Sequence, residues 1–254
     1  MKKKSQRVEK EELEELLQKF GSIRAVARSL GLHHKTLLET MKKWGIEGPK
    51  GTRASHCVLS SKLCEFLDGL LLGGGSLSQK WPHGVAISFS SVESQLVQWI
   101  KKELKNLGIE GQIYTKKEGR GRKPSFVYES RDYYELLSLK NRWYRKGKKD
   151  VPKDLILTPQ VCKLWFILGG SLQVKGKRAA LRFWVGRFSK EGVEHLLGQL
   201  RSLGISPKLY CYPPKIKILW IGSKLEVFSD YIGPCPEELE GLFGHKWKIL
   251  TRGK

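Results

Sequence analysis

Acidic residues are scarce in this chain. Of 254 residues, 25 are Asp or Glu against 47 Lys or Arg, leaving a formal net charge of +22. A potential of that sign attracts polyanions and puts nucleic acid ahead of other partner classes. A ribosomal or membrane-surface protein would share the charge, but here the excess runs along the whole chain instead of gathering in a tail. Long apolar runs are missing too: none approaches the roughly 20 residues that span a bilayer, and the opening MKKKSQRVEKEELEELL has no signal-peptide core. The expectation is a cytoplasmic, nucleoid-associated protein with no membrane partner. Cysteine pairing is absent as well. The five cysteines (Cys57, Cys64, Cys162, Cys211, Cys235) are odd in number and contain no C-x-x-C, which fits reduced thiols better than a disulfide framework. Cys235 and His245 lack metal-ligand spacing, so no metal and no cofactor is expected. What is present is 40% apolar content, enough for a sizeable core in one large domain or two unequal ones.

From about Lys10 to Ile46 the chain reads as three short helices. Leu13, Leu16, Leu17 and Phe20 share one helical face, Ala25, Val26 and Leu30 a second, and Leu37, Met41 and Trp44 a third. The stretch SIRAVARSLGLHHKTLLETMKK resembles the Fis-like helix-turn-helix, in which a G-[IL]-x-x-x-T-L element opens the recognition helix. That resemblance implies a helix lying in a major groove, with His33, His34, Lys35 and Thr36 facing base edges and Glu39 and Lys42 one or two turns on. A three-helix docking cap is the plainer alternative. Residues 48–60 then lose apolar periodicity and gather Gly, Pro and Ser, the composition of a linker. Lys50 and Arg53 there could serve as a basic minor-groove arm or as plain solvated charge.

The rest is an internal duplication. GGSL occurs at 74–77 as GGSL and at 169–172 again, an offset of 95, and LGI followed by four residues and Tyr occurs at 107–114 and 203–210, an offset of 96. Each copy runs from an apolar helix (Leu63–Leu72, Val161–Leu168) through two alternating strands (VAISFS, ALRFWV). An amphipathic helix (SQLVQWIKKELKNL, EGVEHLLGQLRSL) and two more strands follow. A closing helix is expected in each: RDYYELLSLKNRWY in the first and a shorter PEELEGLF in the second.

FLDGLLLGGGSL and KLWFILGGSL resemble the first and second motifs of the LAGLIDADG homing endonucleases in their single-chain, two-repeat form. NRWYRKGKKDVPKDLILTPQ is similar to the stretch between the family's repeats. The resemblance covers roughly Ser60 to Trp247. It implies an α+β fold: a pseudo-twofold, duplicated αββαββα scaffold with two saddle-shaped antiparallel sheets, beside the small all-α helix-turn-helix domain at 1–47. The expected boundaries are 61–156 for the first repeat and 157–254 for the second. In the family each motif helix ends in an acid, and the two acids hold divalent metal over the scissile phosphates. The matching positions here are Gly74 and Gly169, and glycine offers no side-chain oxygen to a hard cation. Leu168 also replaces the preceding acid. Asp68, six residues before Gly74, lies about 9 Å up a helix from it and on another face. The glycines have a structural reading as well, as C-caps, and Gly69 and Gly73 have the spacing for close helix approach.

Strand alternation then assigns faces. Val85, Ile87 and Phe89 belong inside, as do Ile113 and Thr115, with Gln112, Tyr114 and Lys116 outward. Leu181, Phe183 and Val185 point in, while Arg182 and Trp184 point out, and Lys208, Tyr210, Lys215 and Lys217 line the neighbouring strands. Ser78, Lys80, Gln173 and Lys175 follow the motif glycines onto the same surface. Arg120 and Arg122 belong to a basic hairpin, KKEGRGRK, suited to phosphate contact. These residues form either a DNA-reading surface or an ordinary solvated face, and an exposed Trp184 beside two tyrosines weighs against the second. The resulting expectation is a sequence-specific double-stranded DNA-binding protein, a pseudo-endonuclease without cleavage, regulating transcription or a mobile element. An internal twofold supplies the symmetry of a dimer, so a monomer is expected. The alternatives are an RNA-binding intron maturase and a still-active nuclease that recruits Asp68 or Glu65.

Overall fold

The computed structural model describes residues 9–20, 23–46, 54–81, 84–117, 123–176, 178–212 and 216–251. The chain divides into two compact units, residues 1–55 and 56–254.

In the first unit, α1 (Lys10–Phe20), α2 (Ile23–Ser29) and α3 (His34–Trp44) close around Leu13, Leu17, Val26, Leu37 and Met41, each 4% exposed or less. The turn between α2 and α3 needs a left-handed residue, and Gly31 supplies it at φ +64°. Gly45 at φ +66° ends α3 the same way.

The second unit contains the duplication. Its first repeat is α4 (Ser61–Gly73), β1 (Ser76–Trp81), β2 (Gly84–Ser91), α5 (Ser94–Asn106), β3 (Gly111–Lys116), β4 (Ser125–Ser130) and α6 (Leu136–Trp143), with the hairpin β5 (Tyr144–Arg145) and β6 (Lys148–Lys149). The second is α7 (Pro159–Gly169), β7 (Gly170–Lys175), β8 (Arg178–Trp184), α8 (Lys190–Ser202), β9 (Lys208–Tyr212), β10 (Ile216–Ile221), α9 (Leu225–Ile232), a single 3-10 turn at Glu237–Leu239, and α10 (Glu240–Leu250). Both four-stranded sheets are antiparallel and have the same strand order, β1-β2-β4-β3 and β7-β8-β10-β9.

The repeat anchors are helix punctuation. Ser60 and Thr158 cap the two motif helices by accepting from Leu63 N at 3.2 Å and Val161 N at 3.3 Å. Each LGI ends the amphipathic helix in a Schellman turn. Ile109 N donates to Leu104 O at 2.8 Å and Ile205 N to Leu200 O at 3.1 Å, with the intervening Gly108 and Gly204 at φ +86° and +76°. Ile109 and Ile205 are then buried, so each cap also anchors its helix to the core.

The motif helices α4 and α7 pack against each other at the centre of one core that runs through both repeats. Their contact is close because α4 lacks side chains where α7 has them. A Cβ at Gly69 would stand 2.7 Å from Leu164 Cβ, and one at Gly73 only 2.6 Å from Leu168 Cβ. Trp165 stacks on Phe183 with ring centroids 3.9 Å apart, tying α7 to its sheet.

The closing elements differ from the sequence expectation. Arg131 and Asp132 are not helical, because Tyr133 exchanges backbone hydrogen bonds with Val85 at 2.9 and 3.1 Å, which holds that stretch extended. The second repeat closes with two helices, α9 and α10, where the sequence suggested a single short one over PEELEGLF. LEVF, with Glu226 between its apolar residues, is too short a segment to type by period, and two glycines within α10 lower its local propensity.

Candidate nucleic-acid interface

In the first unit, α3 presents the residues of the expected recognition helix. Lys35, Thr36, Glu39 and Lys42 are exposed and His34 is half-buried. His33 serves as the N-cap, its Nδ1 accepting from Lys35 N at 3.4 Å, so that ring nitrogen is engaged within the helix. Lys50 and Arg53 lie outside the described residues.

In the second unit the register assigns each sheet an inner and an open face. Val85, Ile87, Leu181, Phe183 and Val185 are fully buried and Phe89 is 7% exposed, as expected, and Ile113 is half-buried, whereas Thr115, expected inside, is exposed near the end of β3. On the open face of the first sheet, Ser78 pairs with Ala86, Ser76 with Ser88, Gln112 with Glu129 and Tyr114 with Val127, with Lys116 at the strand end. The Ser76 and Ser88 hydroxyls lie 2.9 Å apart. This surface is mostly hydroxyl and amide. Lys80 lies on β1 with its side chain outside the described set, and Arg120 and Arg122 are also outside it.

The open face of the second sheet differs in chemistry. Ser171 pairs with Arg182, Gln173 with Ala180 and Lys175 with Arg178, while Arg182, Trp220 and Lys208 form one row and Trp184, Ile218 and Tyr210 the next. Tyr212, paired with Ile216, continues it. Trp184, Tyr210 and Tyr212 are 51%, 40% and 53% exposed, which for rings of that size marks an uncovered surface. Tyr210 meets Trp220 edge to face at 5.8 Å, and the Arg187 guanidinium lies 4.9 Å from the Trp184 ring centre. Lys217 corrects the sequence reading. It shares parity with Leu219 and Ile221, both fully buried, and so belongs to the helix-side series instead of the open face. Lys215 lies outside the described residues. Tyr212, Trp220 and Arg187 were not anticipated, although Tyr212 follows Tyr210 at the strand period of two.

At the motif ends the backbone carbonyls have found cations. Lys149 Nζ, at the end of β6, donates to Leu71 O at 2.8 Å and Gly75 O at 2.7 Å. In the second repeat Lys246 Nζ, from α10, donates to Gly170 O at 2.9 Å. An ammonium at the negative end of a helix dipole is the favourable sign. Burial, and then the charge of Arg187, pulls Lys149 down to about 8, and burial alone lowers Lys246. No sequence signal marks these lysines, because each stands more than 70 residues from the carbonyls it serves.

The two glycines differ. Gly74 follows α4 at φ +147°, ψ −13°, a backbone open to glycine and strained for any other residue. Gly169 is the last helical residue of α7, and a Cβ there would meet nothing closer than 3.4 Å.

A divalent metal, which the motif resemblance implies, does not fit this arrangement. The motif positions carry no carboxylate, and the carbonyls of Leu71, Gly75 and Gly170 are committed to ammonium groups. The alternative acids, Asp68 and Glu65, are committed elsewhere. Asp68 accepts from Arg142 at 2.6 Å and from the Trp143 indole at 2.7 Å, with Arg142 also held by Asp154, and Glu65 accepts from the Thr158 hydroxyl at 3.1 Å. Among the described residues no group of three or more His, Cys, Asp or Glu could hold a metal ion.

The duplicated sheets, the two central glycine-ended helices and the separate three-helix unit define a two-repeat nuclease-type scaffold carrying a helix-turn-helix. A sequence profile of the LAGLIDADG DNA endonuclease family matches residues 64–210, and the chain belongs to that family. A helix-turn-helix domain profile matches residues 1–47. An uncharacterized protein of Methanocaldococcus jannaschii is 26% identical over 159 residues, 59% of this chain and 61% of that protein, so the chain spans about three fifths of that curated relative. The homing endonuclease I-WcaI, solved bound to its DNA recognition sequence, superposes with a TM-score of 0.63 at 21% identity, covering 81% of this chain and 92% of the other. That likeness establishes the shared fold. Full-length DUF199/WhiA from Thermatoga maritima gives a TM-score of 0.47 at 18% identity over 75% of this chain and 60% of its own.

Proposed function

We propose that this protein binds double-stranded DNA sequence-specifically without cutting it, as a monomeric regulator of transcription or of a mobile element that descends from a homing endonuclease. The observation that carries this reading is the pair of motif ends, where glycines replace metal-holding acids and lysine ammonium groups cover the carbonyls. Cleavage of a phosphodiester by this scaffold needs a cation to generate and orient the attacking water. Grip on a duplex needs only the sheets and the helix-turn-helix. I-WcaI holds DNA on the same fold, and a net charge of +22 supports phosphate neutralisation over a long footprint. A recognition helix in addition to the sheets lengthens the sequence that can be read.

The test is selection of bound sequences from random duplex DNA and RNA pools, with and without Mg²⁺, scored for both enrichment and cutting. The expected result is an enriched duplex motif, intact strands, and an affinity that drops about 10³-fold or more between 50 and 200 mM salt. Strand breaks by the purified chain that disappear with chelator would overturn the reading. Enrichment from the RNA pool alone would replace it with the RNA-binding alternative.

A further inference from the structure

The open face of the second sheet carries, beside the polar groups that can touch a closed duplex, a chemistry suited to unpaired bases. In a duplex the flat faces of the bases are already stacked on one another, and only their edges and the phosphates remain to be touched. Reading edges takes hydroxyls, amides and guanidinium groups, which is what the first sheet offers in Ser76, Ser78, Ser88 and Gln112. The second sheet offers Ser171, Gln173 and Arg182 for the same purpose and adds π surface. Trp184, Trp220, Tyr210 and Tyr212 occupy one face of three adjacent strands, and three of them are at least 40% exposed.

Cations flank these rings on the same surface. Arg187 packs at 4.9 Å over Trp184, Lys208 pairs with Trp220, and Lys175 and Arg178 pair at the end of the β7-β8 hairpin. Arg182, in the row with Trp220, is half-buried, and its buried Nε has no hydrogen-bond partner among the described residues. Uncovered aromatic rings among cations that have no ion pair among the described residues complement a chain of anionic phosphates whose bases are free to stack.

We propose that this face binds unpaired nucleotides, their bases stacked on Trp184, Trp220, Tyr210 and Tyr212 and their phosphates held by Arg187 and Lys208. Sequence preference there is weak, because every base has a π face. The inference goes beyond the duplex reading and does not depend on it.

The test uses the full chain and four fluorescein-labelled probes titrated by anisotropy and tryptophan quenching: a dT 12-mer, an rU 12-mer, an abasic 12-mer with the same phosphates, and a hairpin duplex. The base-bearing single strands should quench tryptophan emission and bind at least fivefold more tightly than the abasic strand. Trp184→Ala and Tyr212→Ala should each weaken them about tenfold while changing duplex affinity less than about threefold. Both side chains are half-exposed, so both variants should melt with the parent. If one fails to, the other carries the test, with Gln112→Ala on the first sheet as the control that leaves single-strand binding unchanged. Preference for dT or for rU would name the sugar, and either supports the proposal. No discrimination against the abasic strand, or equal losses on single strand and duplex, would overturn it. A failure of duplex selection with these results intact would remove the duplex reading alone.

Discussion

The two repeats share a topology, a strand order and both helix caps, yet they differ at several outward positions and in how their motif ends are held. The first sheet is open with serine, glutamine and a tyrosine, the second with tryptophan, tyrosine and arginine. The first motif helix ends in a glycine-only backbone with its carbonyls on Lys149. The second ends one residue later, in ordinary geometry, with one carbonyl on Lys246. Tryptophans on the closing helices also differ in partner: Trp143 donates to the Asp68 carboxylate at 2.7 Å, whereas Trp247 donates to the Gly233 carbonyl at 2.8 Å. Inward positions are held by a common core, and a change there costs stability in both repeats at once. Outward positions carry no such constraint, so duplication preserved the scaffold while the two surfaces separated.

The largest expected effect comes from that tryptophan contrast. Asp68→Ala strips Trp143 of its acceptor and leaves Arg142, whose side chain is 26% exposed, with Asp154 alone. It should cost about 3 kcal/mol in chemical denaturation. Lys163→Ala, at the position 95 residues later, should cost less than about 1 kcal/mol, and equal losses would mean that the ion network is not specific to the first repeat. Gly73→Val forces a Cβ to within 2.6 Å of Leu168 Cβ and should cost about 2 to 3 kcal/mol, while Gly169→Ala, with no contact under 3.4 Å, should be near neutral. Restoring an acid sharpens the comparison further. Gly74→Asp enters a strained backbone at φ +147° and should lose about 2 kcal/mol, against less than about 1 kcal/mol for Gly169→Asp.

The smallest effect is a pH slope. Lys149 titrates at about 8 in the fold against an ordinary 10.5, so between those values the unfolded chain holds more protons than the folded one. Its contribution to stability therefore rises with pH across that window. Urea midpoints measured from pH 7.5 to 10.5 should climb less in Lys149→Met than in the parent. Parallel curves would show that the buried ammonium is not what sets the slope.

Much of this fold is legible as pattern. GGSL and LGI recur because a helix end and a Schellman turn each demand the same few residues wherever they occur, and VAISFS and ALRFWV alternate because one side of each strand is core. Legibility fails where the pattern saturates. Residues 218–221 read Ile-Leu-Trp-Ile, apolar at every position, so period two cannot say which set points in. A one-residue slip moves Lys217 from one face to the other. It fails again at 131–133, where a pairing with Val85 overrides helical periodicity, and at LEVF, where three apolar residues around Glu226 fit helix or strand.

By itself the sequence determined the duplication, the helix-turn-helix, the family, the inward side chains of the first strands of each sheet and the absence of acids at Gly74 and Gly169. These are local properties: caps, periods and side-chain identity act within a turn or two of where they are written. The tertiary structure alone decided that Lys149 and Lys246 cover the motif carbonyls, that Asp68 belongs to Arg142 and Trp143, and that Trp184, Trp220, Tyr210 and Tyr212 share one open surface. Those facts arise between residues up to some 80 positions apart, where only the closing of sheets and the crossing of helices sets the distance.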